Sequence, residues 1–226
     1  MIGVLVNVFA IIFGSLIGLL LRKGISERYK NIVMQAIGLS VLIIGIVGAI
    51  KTEEIILLVI SLVLGGLIGT FLKIEKNLEK LGDSLENKFQ SSNAQFSKGF
   101  VMASLVYCVG AMAIVGSIEA GVNGNNEVLF TKAILDGVTA VFFTASLGYG
   151  VLFSSIPVFI YQGSITVFGI YIKDYLNDSM INEVSAVGSV LILGIGLSML
   201  EIKKINVGDL LPAVIIPIIY FLLIWG

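Results

Sequence analysis

FSKGFVMASLVYCVGAMAIVGSIEAG (residues 96–121) and LFTKAILDGVTAVFFTASLGYGVLFSSIPVFIYQGS (residues 129–164) are the segments that decide the fold of this chain. Both segments are apolar over at least the roughly twenty residues that a helix needs to cross a bilayer. They contain the only cysteine, Cys108, and a Lys/Asp pair, Lys132 and Asp136, inside an apolar run. We therefore expect membrane-spanning helices here, and we expect any transport path to use this central region.

The composition of the whole chain also indicates a membrane protein. Of its 226 residues, 57% are hydrophobic and only 13% are charged, whereas soluble domains average about 25% charged residues. A net charge of −1 argues against a nucleic-acid partner. The chain has no His, and its single Cys cannot form an internal disulfide. No phosphate-binding loop, metal-ligand cluster or nucleophile elbow is present, so we predict no cofactor and no enzyme activity, and the sequence leaves metal binding open.

The apolar runs predict an all-α, polytopic transmembrane helix bundle with about eight spans. The run over residues 129–172 would be roughly 65 Å long as one helix, about twice the bilayer core. We therefore place a break at Gly148-Tyr149-Gly150. The first run lacks the basic start and cleavage site of a signal peptide, so we read it as a retained span. The predicted spans are 2–22, 32–50, 55–72, 99–117, 129–147, 151–172, 184–200 and 210–225.

Lysine and arginine are distributed unevenly between the two sides of this bundle. With the N-terminus outside, one side carries four such residues in 22–30, five in 73–98, and Lys203 and Lys204. The other side carries Lys51, Lys132 and Lys173. Basic residues concentrate in cytoplasmic loops, so an eleven-to-three division predicts a bacterial inner-membrane protein with both termini extracytoplasmic. A seven-span alternative weakens the division to nine against five.

We predict one membrane domain, 1–226, that contains an internal repeat. SVLIIGI (40–46) recurs as SVLILGI (189–195), and FGSLIG (13–18) faces QGSITV (162–167) at the same offset of 149 residues. Repeat one is then 1–72, repeat two is 151–226, and residues 96–148 form the central spans four and five. Because spans one and six run in opposite directions, the three-helix repeats are inverted, which is typical of transporters. Chance similarity between apolar helices is the alternative.

Two further patterns concern packing and the membrane surface. Residues 73–95 carry apolar side chains at helical spacing and alternating charges on the other face, which predicts an amphipathic cytoplasmic helix at the interface. A solvated linker helix on a partner fits equally well. GSLIG (14–18) and GGLIG (65–69) have paired glycines that let helices approach closely, and we expect them to serve packing.

Asp136 and Lys132 are the first candidates for an ion or substrate pathway. They are four residues apart, on one helix face that Thr139 continues. A carboxylate deep in a membrane costs about 2.5–3.5 kcal/mol on insertion scales, so it faces a cavity or a partner. Either it takes a proton or a nearby cation keeps it charged. The alternative is a structural pair in which Lys132 extends toward the surface.

The other candidates are polar residues within apolar spans. Ser104 and Cys108 share one face of span four, where packing is the competing explanation. Gln162 and Ser164 follow Pro157 in span six, and a proline removes a backbone donor, so we predict a discontinuous helix there. A proline-kinked helix is the alternative. Asn7 is the polar residue of span one.

The run FVMASLVYCVGAMAIVGSIEAG, followed by KAILDG and by the YQG of span six, resembles the DUF554 family, the YdfK/YqgA-like bacterial inner-membrane proteins. The resemblance covers essentially the whole chain, including GVLVNVFAIIFGSLIGLLL near its start, and CVGAMAIVGS is its most specific part. It implies a polytopic bacterial membrane protein of unassigned function, and it carries no established catalytic residues.

The residues favour a small secondary, ion-coupled transporter of an unidentified small solute or ion. A small-ion channel would share the inverted repeats but would lack coupling to a gradient. A membrane scaffold or an embedded enzyme is the third alternative, although the enzyme would need a clustered nucleophile and base. The expected partners are the lipid bilayer, a small solute or monovalent ion, and a second copy of the chain, since exposed glycine surfaces would allow a homodimer.

Overall fold

A computed structural model of the chain describes residues 1–22, 27–78, 80, 96–108, 111–172 and 177–225. Every regular element in these residues is a helix. The helices are α1 (Ile2–Arg22), α2 (Glu27–Ala49), α3 (Ile55–Leu72), α4 (Phe96–Cys108), α5 (Ala111–Val122), α6 (Glu127–Leu147), α7 (Gly150–Phe153), α8 (Ser155–Ile172), α9 (Asp178–Met199), a 3₁₀ helix (Val207–Val214) and α10 (Ile215–Trp225).

Six helices in the described residues are long and apolar enough to cross a bilayer. Their outer surfaces are apolar as well: Leu20 is 77% exposed and Phe71 is 84% exposed. Side chains of this kind are stable when lipid surrounds them. The prediction of an all-helical membrane protein is therefore confirmed. The six candidate spans are Ile2–Arg22, Asn31–Ala49, Ile55–Leu72, Glu127–Leu147, Gly150–Gly169 and Asp178–Met199.

The predicted break at Gly148-Tyr149-Gly150 is confirmed. Helix α6 ends at Leu147, and Gly148 has φ +81°, a conformation that side-chain-bearing residues rarely adopt. The short helix α7 then starts at Gly150. The Gly148 N–H still donates to the Thr144 carbonyl, as the last bond of the α6 ladder, and the positive φ of Gly148 then turns the chain out of the helix.

The prediction of a discontinuous helix at Gln162 is wrong. Helix α8 runs without interruption from Ser155 to Ile172. Pro157 is the third residue of α8, in the first turn, where a missing backbone donor costs little. The break lies in predicted span four instead, where the helices Phe96–Cys108 and Met112–Val122 meet at 58°.

Predicted span eight also differs in form. Residues 207–214 are a 3₁₀ helix that contains Pro212, and α10 follows from Ile215. Pro217 lies in the first turn of α10 and does not interrupt it. The predicted helix over 73–95 is described only in part: residues 74–78 are helical, whereas 79 and 81–95 lie outside the described residues.

The chain divides into two compact units. The first unit comprises Met1–Ile37, Leu78–Cys108 and Met112–Lys173, and the second comprises Gly38–Asn77, Val109–Ala111 and Asp174–Gly226. These units follow spatial contacts and do not bear on the proposed repeat boundaries, which stay a prediction.

In the first unit, α1 and α6 pack side by side and run in the same direction. Near the start of α1, the Gly3 N–H donates to Asn126 Oδ1 at 2.9 Å, just before α6 begins. A Cβ at Gly14 would overlap the Gly137 carbonyl oxygen, and a Cβ at Gly18 would overlap that of Val141. The glycines therefore bring the two backbones into contact, and the packing function predicted for Gly14 and Gly18 is confirmed.

The bent pair α4–α5 follows the length of α8 within the same unit. At its start, Phe96 and Phe100 contact the backbone of Gly150, where α7 begins. At its end, a Cβ at Gly121 would overlap the carbonyl oxygen of Thr166. The sixteen helical steps from Gly150 in α7 to Thr166 in α8 cover roughly 24 Å, so α4 and α5 together extend over a comparable length.

In the second unit, close approach at glycines joins two antiparallel helix pairs. The second half of α2 packs on α9, and α3 packs on the 3₁₀ helix. The packing function predicted for Gly65 and Gly69 is thus confirmed too. The contacting pairs are Gly38 with Leu200, Gly45 with Leu193 and Gly48 with Ser189, then Gly65 with Ala213 and Gly69 with Asp209.

Candidate functional site

A buried ion pair lies on one face of α6. Lys132 Nζ donates to Asp136 Oδ2 at 2.5 Å, and both residues are only 6% exposed. The pair forms because residues four apart on a helix lie one above the other. It lies in the interior of the first unit, away from its apolar outer surface, as expected for charged groups in a membrane helix.

Two amide side chains complete the contacts of this carboxylate. Asn7 Nδ2, on α1, donates to Asp136 Oδ2 at 3.0 Å and to Gln162 Oε1, on α8, at 3.1 Å. Asn7 and Gln162 are both fully buried. We call these four residues, Asn7, Lys132, Asp136 and Gln162, the Asp136 cluster. It joins α1 to α6 and α8, which come more than 100 residues later in the chain.

The end of α4 contributes two further groups close to the Asp136 cluster. The fully buried Tyr107 ring stacks on Phe143 with centroids 6.0 Å apart. Its hydroxyl lies next to Thr139 and within electrostatic range of Asp136. The Cys108 side chain lies within electrostatic range of both Lys132 and Asp136. Cys108 is also the last residue before the break between α4 and α5.

Three hydroxyl residues predicted for the site hydrogen-bond to their own helices. Thr139 donates to the Leu135 and Asp136 carbonyls, and Ser104 donates to Phe100. Ser164 is exposed and donates to Tyr161. A serine or threonine in a helix often satisfies itself in this way. The described hydrogen bonds therefore link Asn7, Lys132, Asp136 and Gln162, whereas they do not bring Ser104 and Ser164 to the cluster.

Several polar atoms at the Asp136 cluster have no hydrogen-bond partner among the described residues. They are Asn7 Oδ1, Gln162 Nε2 and the Tyr107 hydroxyl, all fully buried. An unsatisfied buried polar group costs about 1–3 kcal/mol, so such groups need an explanation. Spare donors and acceptors around an ion pair are able to bind a small polar ligand or ion.

Sequence reasoning missed two residues, Tyr107 and Glu183. Tyr107 lies within predicted span four (99–117), where only Ser104 and Cys108 are candidates for the site. Glu183, in the second unit, is 1% exposed and accepts from Thr52 Oγ1 at 2.5 Å, from the Glu53 N–H at 2.7 Å and from the Glu54 N–H at 3.3 Å. It was placed just outside span seven, next to Val184, and only its position beside an apolar run could have indicated burial.

The described part of the chain contains no group of three His, Cys, Asp or Glu side chains placed to hold a metal ion. The oxygen atoms at the Asp136 cluster come instead from one carboxylate and from neutral amides and hydroxyls. Such donors suit a small hard cation or a polar solute better than a transition metal.

Comparison with known proteins identifies relatives over nearly the full length. The chain is 37% identical over 221 residues to "Uncharacterized membrane protein YdfK" of Bacillus subtilis (strain 168), covering 96% of this chain and 94% of that protein. It is 31% identical over 220 residues to "Uncharacterized protein YqgA" of Escherichia coli (strain K12), covering 95% and 94%. No solved structure gives a significant match. Residues 2–222 match the family described as "Protein of unknown function (DUF554)". The chain therefore belongs to the DUF554 family.

Proposed function

We propose that this protein is a small secondary transporter that couples the movement of a small solute or ion to an ion gradient. The observation that carries the proposal is the Asp136 cluster, in which a buried carboxylate is held by a lysine and an amide from different helices. Membrane proteins bury charges of this kind at substrate and ion pathways. The charge of Asp136 would be the group that senses the coupling ion.

The broken helix next to the cluster supports the same function. Cys108, at the end of α4, is close to Lys132 and Asp136, and the chain direction then changes by 58° into α5. Transporters place their sites at discontinuous helices, because the interrupted ladder exposes backbone groups to the ligand. The sequence predicts such a break in span six, whereas the bend lies in span four, after Cys108, which is within electrostatic range of the same carboxylate.

We further propose eight crossings in the bacterial inner membrane with both termini extracytoplasmic. Six helices qualify alone, the bent α4–α5 pair is a seventh candidate, and Val207–Leu223 is a shorter apolar helix. The parallel packing of α1 and α6 supports counting α4–α5 as a crossing, since α6 is then the fifth span and runs like the first. The extent of α4–α5 along α8 supports it as well.

The inverted repeat gains support from two backbone contacts between proposed equivalent helices in the second unit. Gly45 meets Leu193, and Gly65 meets Ala213. Both pairs are 148 positions apart, one less than the 149-residue offset of the sequence repeat. When a two-fold axis relates two repeats, a helix crosses its equivalent where equivalent residues meet. The contacts of α2 with α9 and of α3 with the 3₁₀ helix each include one pair near this offset, and both helix pairs are antiparallel, as an inverted repeat requires.

Reconstituted protein tests the proposal. Purified protein in liposomes on a solid-supported membrane would be exposed to a panel of small amines, carboxylates, amino acids and salts, with and without a Na⁺ or proton gradient. We expect a solute-dependent current or pH change that requires the gradient and that Asp136→Asn abolishes. Currents that follow every small ion without coupling would favour a channel. Full gradient-dependent activity in Asp136→Asn would refute the assigned role of Asp136.

A further inference from the structure

We propose that the Asp136 cluster is a binding site for one small monovalent cation, and that the Lys132 ammonium occupies it as a tethered competitor. The inference rests on the proposed transporter function, because it names the chemical class of the ion that the site takes. It makes three claims that can be tested separately: the ligands are oxygens of the cluster, the charge of the guest is +1, and the guest and Lys132 exclude one another.

The ligand oxygens come from three helices. Asp136 supplies a carboxylate, Asn7 supplies the unpartnered and fully buried Oδ1, and Gln162 supplies Oε1. The Tyr107 hydroxyl lies near Asp136 and also has no hydrogen-bond partner among the described residues. Hard cations take oxygen ligands of this kind. A shell of neutral oxygens around one carboxylate matches a single positive charge.

The Lys132 ammonium shows what the site accepts. An ammonium carries three hydrogen-bond donors, yet in the described part of the structure Lys132 makes one hydrogen bond, to Asp136 Oδ2. Of the charged side chains described in the first unit, only Lys132 and Asp136 are buried. The carboxylate is therefore neutralised by one cation, and that cation is held by a single bond at the end of a flexible stem.

A guest cation and the Lys132 ammonium cannot both stay. Two positive charges about 4 Å apart at the effective dielectric of a protein lower the affinity of the second by roughly 1,000-fold. The Lys132 ammonium can leave the cluster toward the membrane surface, because Lys132 is five residues from Glu127, where α6 begins. That distance is roughly 7.5 Å along the helix, and a lysine side chain is long enough to extend toward the surface.

The test measures thermal unfolding of the full chain in detergent at fixed pH and ionic strength. NaCl, KCl and NH₄Cl are each compared with choline chloride, whose quaternary ammonium is bulky and has no N–H donor, and the three arms distinguish an alkali ion from ammonium. In Lys132→Gln the tethered competitor is absent, so at ten times Kd one of the small cations should raise Tm by about 3–6 °C. The wild type should respond to the same ion in the same order of preference, with an apparent Kd at least tenfold weaker.

Two variants complete the design. The double variant Lys132→Gln/Asp136→Asn should lose the response, because the carboxylate is gone. Lys98→Gln, the same change at an exposed residue of α4, should respond like the wild type. Absence of any cation effect in Lys132→Gln, or an undiminished effect in the double variant, would overturn the site. If Lys132→Gln does not fold, the test uses the wild type alone. A wild-type Tm that is the same in 0.5 M NaCl, KCl, NH₄Cl and choline chloride would then overturn the proposal. Cation binding without transport leaves the site intact and refutes the transporter function, whereas transport without cation binding refutes the site alone.

Discussion

Each unit of the molecule buries a carboxylate, and the two carboxylates are held in opposite ways. In the second unit, Glu183 accepts hydrogen bonds from the Thr52 hydroxyl and from the backbone N–H groups of Glu53 and Glu54, at the start of α3. In the first unit, Asp136 is held by a lysine and by the Asn7 amide. Glu183 is held largely by backbone N–H groups, whereas Asp136 is held only by side chains.

The polar atoms around the two acids also differ in how many of them have hydrogen-bond partners. Unpartnered buried atoms of Asn7, Tyr107 and Gln162 lie near Asp136, whereas the corresponding atoms around Glu183 are bonded. Backbone donors at a helix N-terminus stabilise a carboxylate permanently. An acid in a membrane helix with spare polar neighbours has capacity for a ligand. Burial alone therefore does not distinguish Asp136 from Glu183; the partners of the two carboxylates do, and they are the reason that we propose Asp136 as the ion site.

The substitution with the largest expected effect is Gly14→Ala. It tests whether the packing of α1 on α6, rather than hydrogen bonding, holds the Asp136 cluster together. Gly14→Ala would place a Cβ against the Gly137 carbonyl oxygen, so α1 must move away from α6. We expect a loss of about 3 kcal/mol in the free energy of unfolding, with loss of any cation response, because Asn7 moves with α1. Thermal unfolding and the cation titration measure the two effects.

The matched control for that substitution is Gly163→Ala. A Cβ there would meet only the Met1 side chain, at an ordinary 3.8 Å. An alanine favours a helix over glycine by up to about 1 kcal/mol, so Tm should stay equal or rise. Equal losses of stability in both variants would show that the α1–α6 contact has no special part in holding the cluster.

Glu183→Gln should have a smaller effect on stability, and it tests directly whether the two carboxylates have different roles. Glu183→Gln replaces one acceptor oxygen with an N–H₂ group that faces existing donors. We expect a loss of about 2 kcal/mol in the free energy of unfolding, with gradient-dependent activity per folded molecule unchanged. Thermal unfolding measures the loss of stability, and flux normalised to the amount of folded protein measures the activity. A variant that kept its stability and lost its flux would reverse the roles assigned to the two acids.

The smallest expected effect concerns Tyr107. Tyr107→Phe keeps the stacking on Phe143 and removes a buried hydroxyl that has no hydrogen-bond partner among the described residues. We expect stability to change by no more than about 1 kcal/mol, because the hydroxyl lies next to Thr139, while cation affinity falls several-fold. Ser164→Ala is the control, since Ser164 is exposed and bonds to its own helix. If cation affinity is equal in Tyr107→Phe and the wild type, the hydroxyl is not a ligand.

Much of the architecture was predictable because membrane spans are recorded locally in the sequence. Length and apolarity placed the spans, and Gly148 marked the turn after α6. The repeated glycines of α1 and α3 predicted close backbone contact, which the structure contains. These features depend on residues near one another in the chain, so a single sequence carries them.

The sequence predicted the contacts of the site within a single helix, but not the contacts between helices. Spacing placed Lys132 on the face of Asp136, and the polar residues Asn7 and Gln162 were conspicuous within apolar runs. Spacing could not show that α1 and α8 meet α6 at this level. Nor could it show that Ser104 and Ser164 satisfy themselves on their own helices. The break was assigned to Pro157, but a proline in a first turn fits an unbroken helix.

Flux driven by an ion gradient, measured side by side for the wild type, Asp136→Asn and Glu183→Gln in liposomes, tests the central claim most directly. All three should be reconstituted at equal amounts of folded protein, so that stability does not enter the comparison. The account predicts that Glu183→Gln retains wild-type flux and that Asp136→Asn retains none above empty liposomes. Wild-type flux in Asp136→Asn would contradict the claim that this carboxylate carries the coupling.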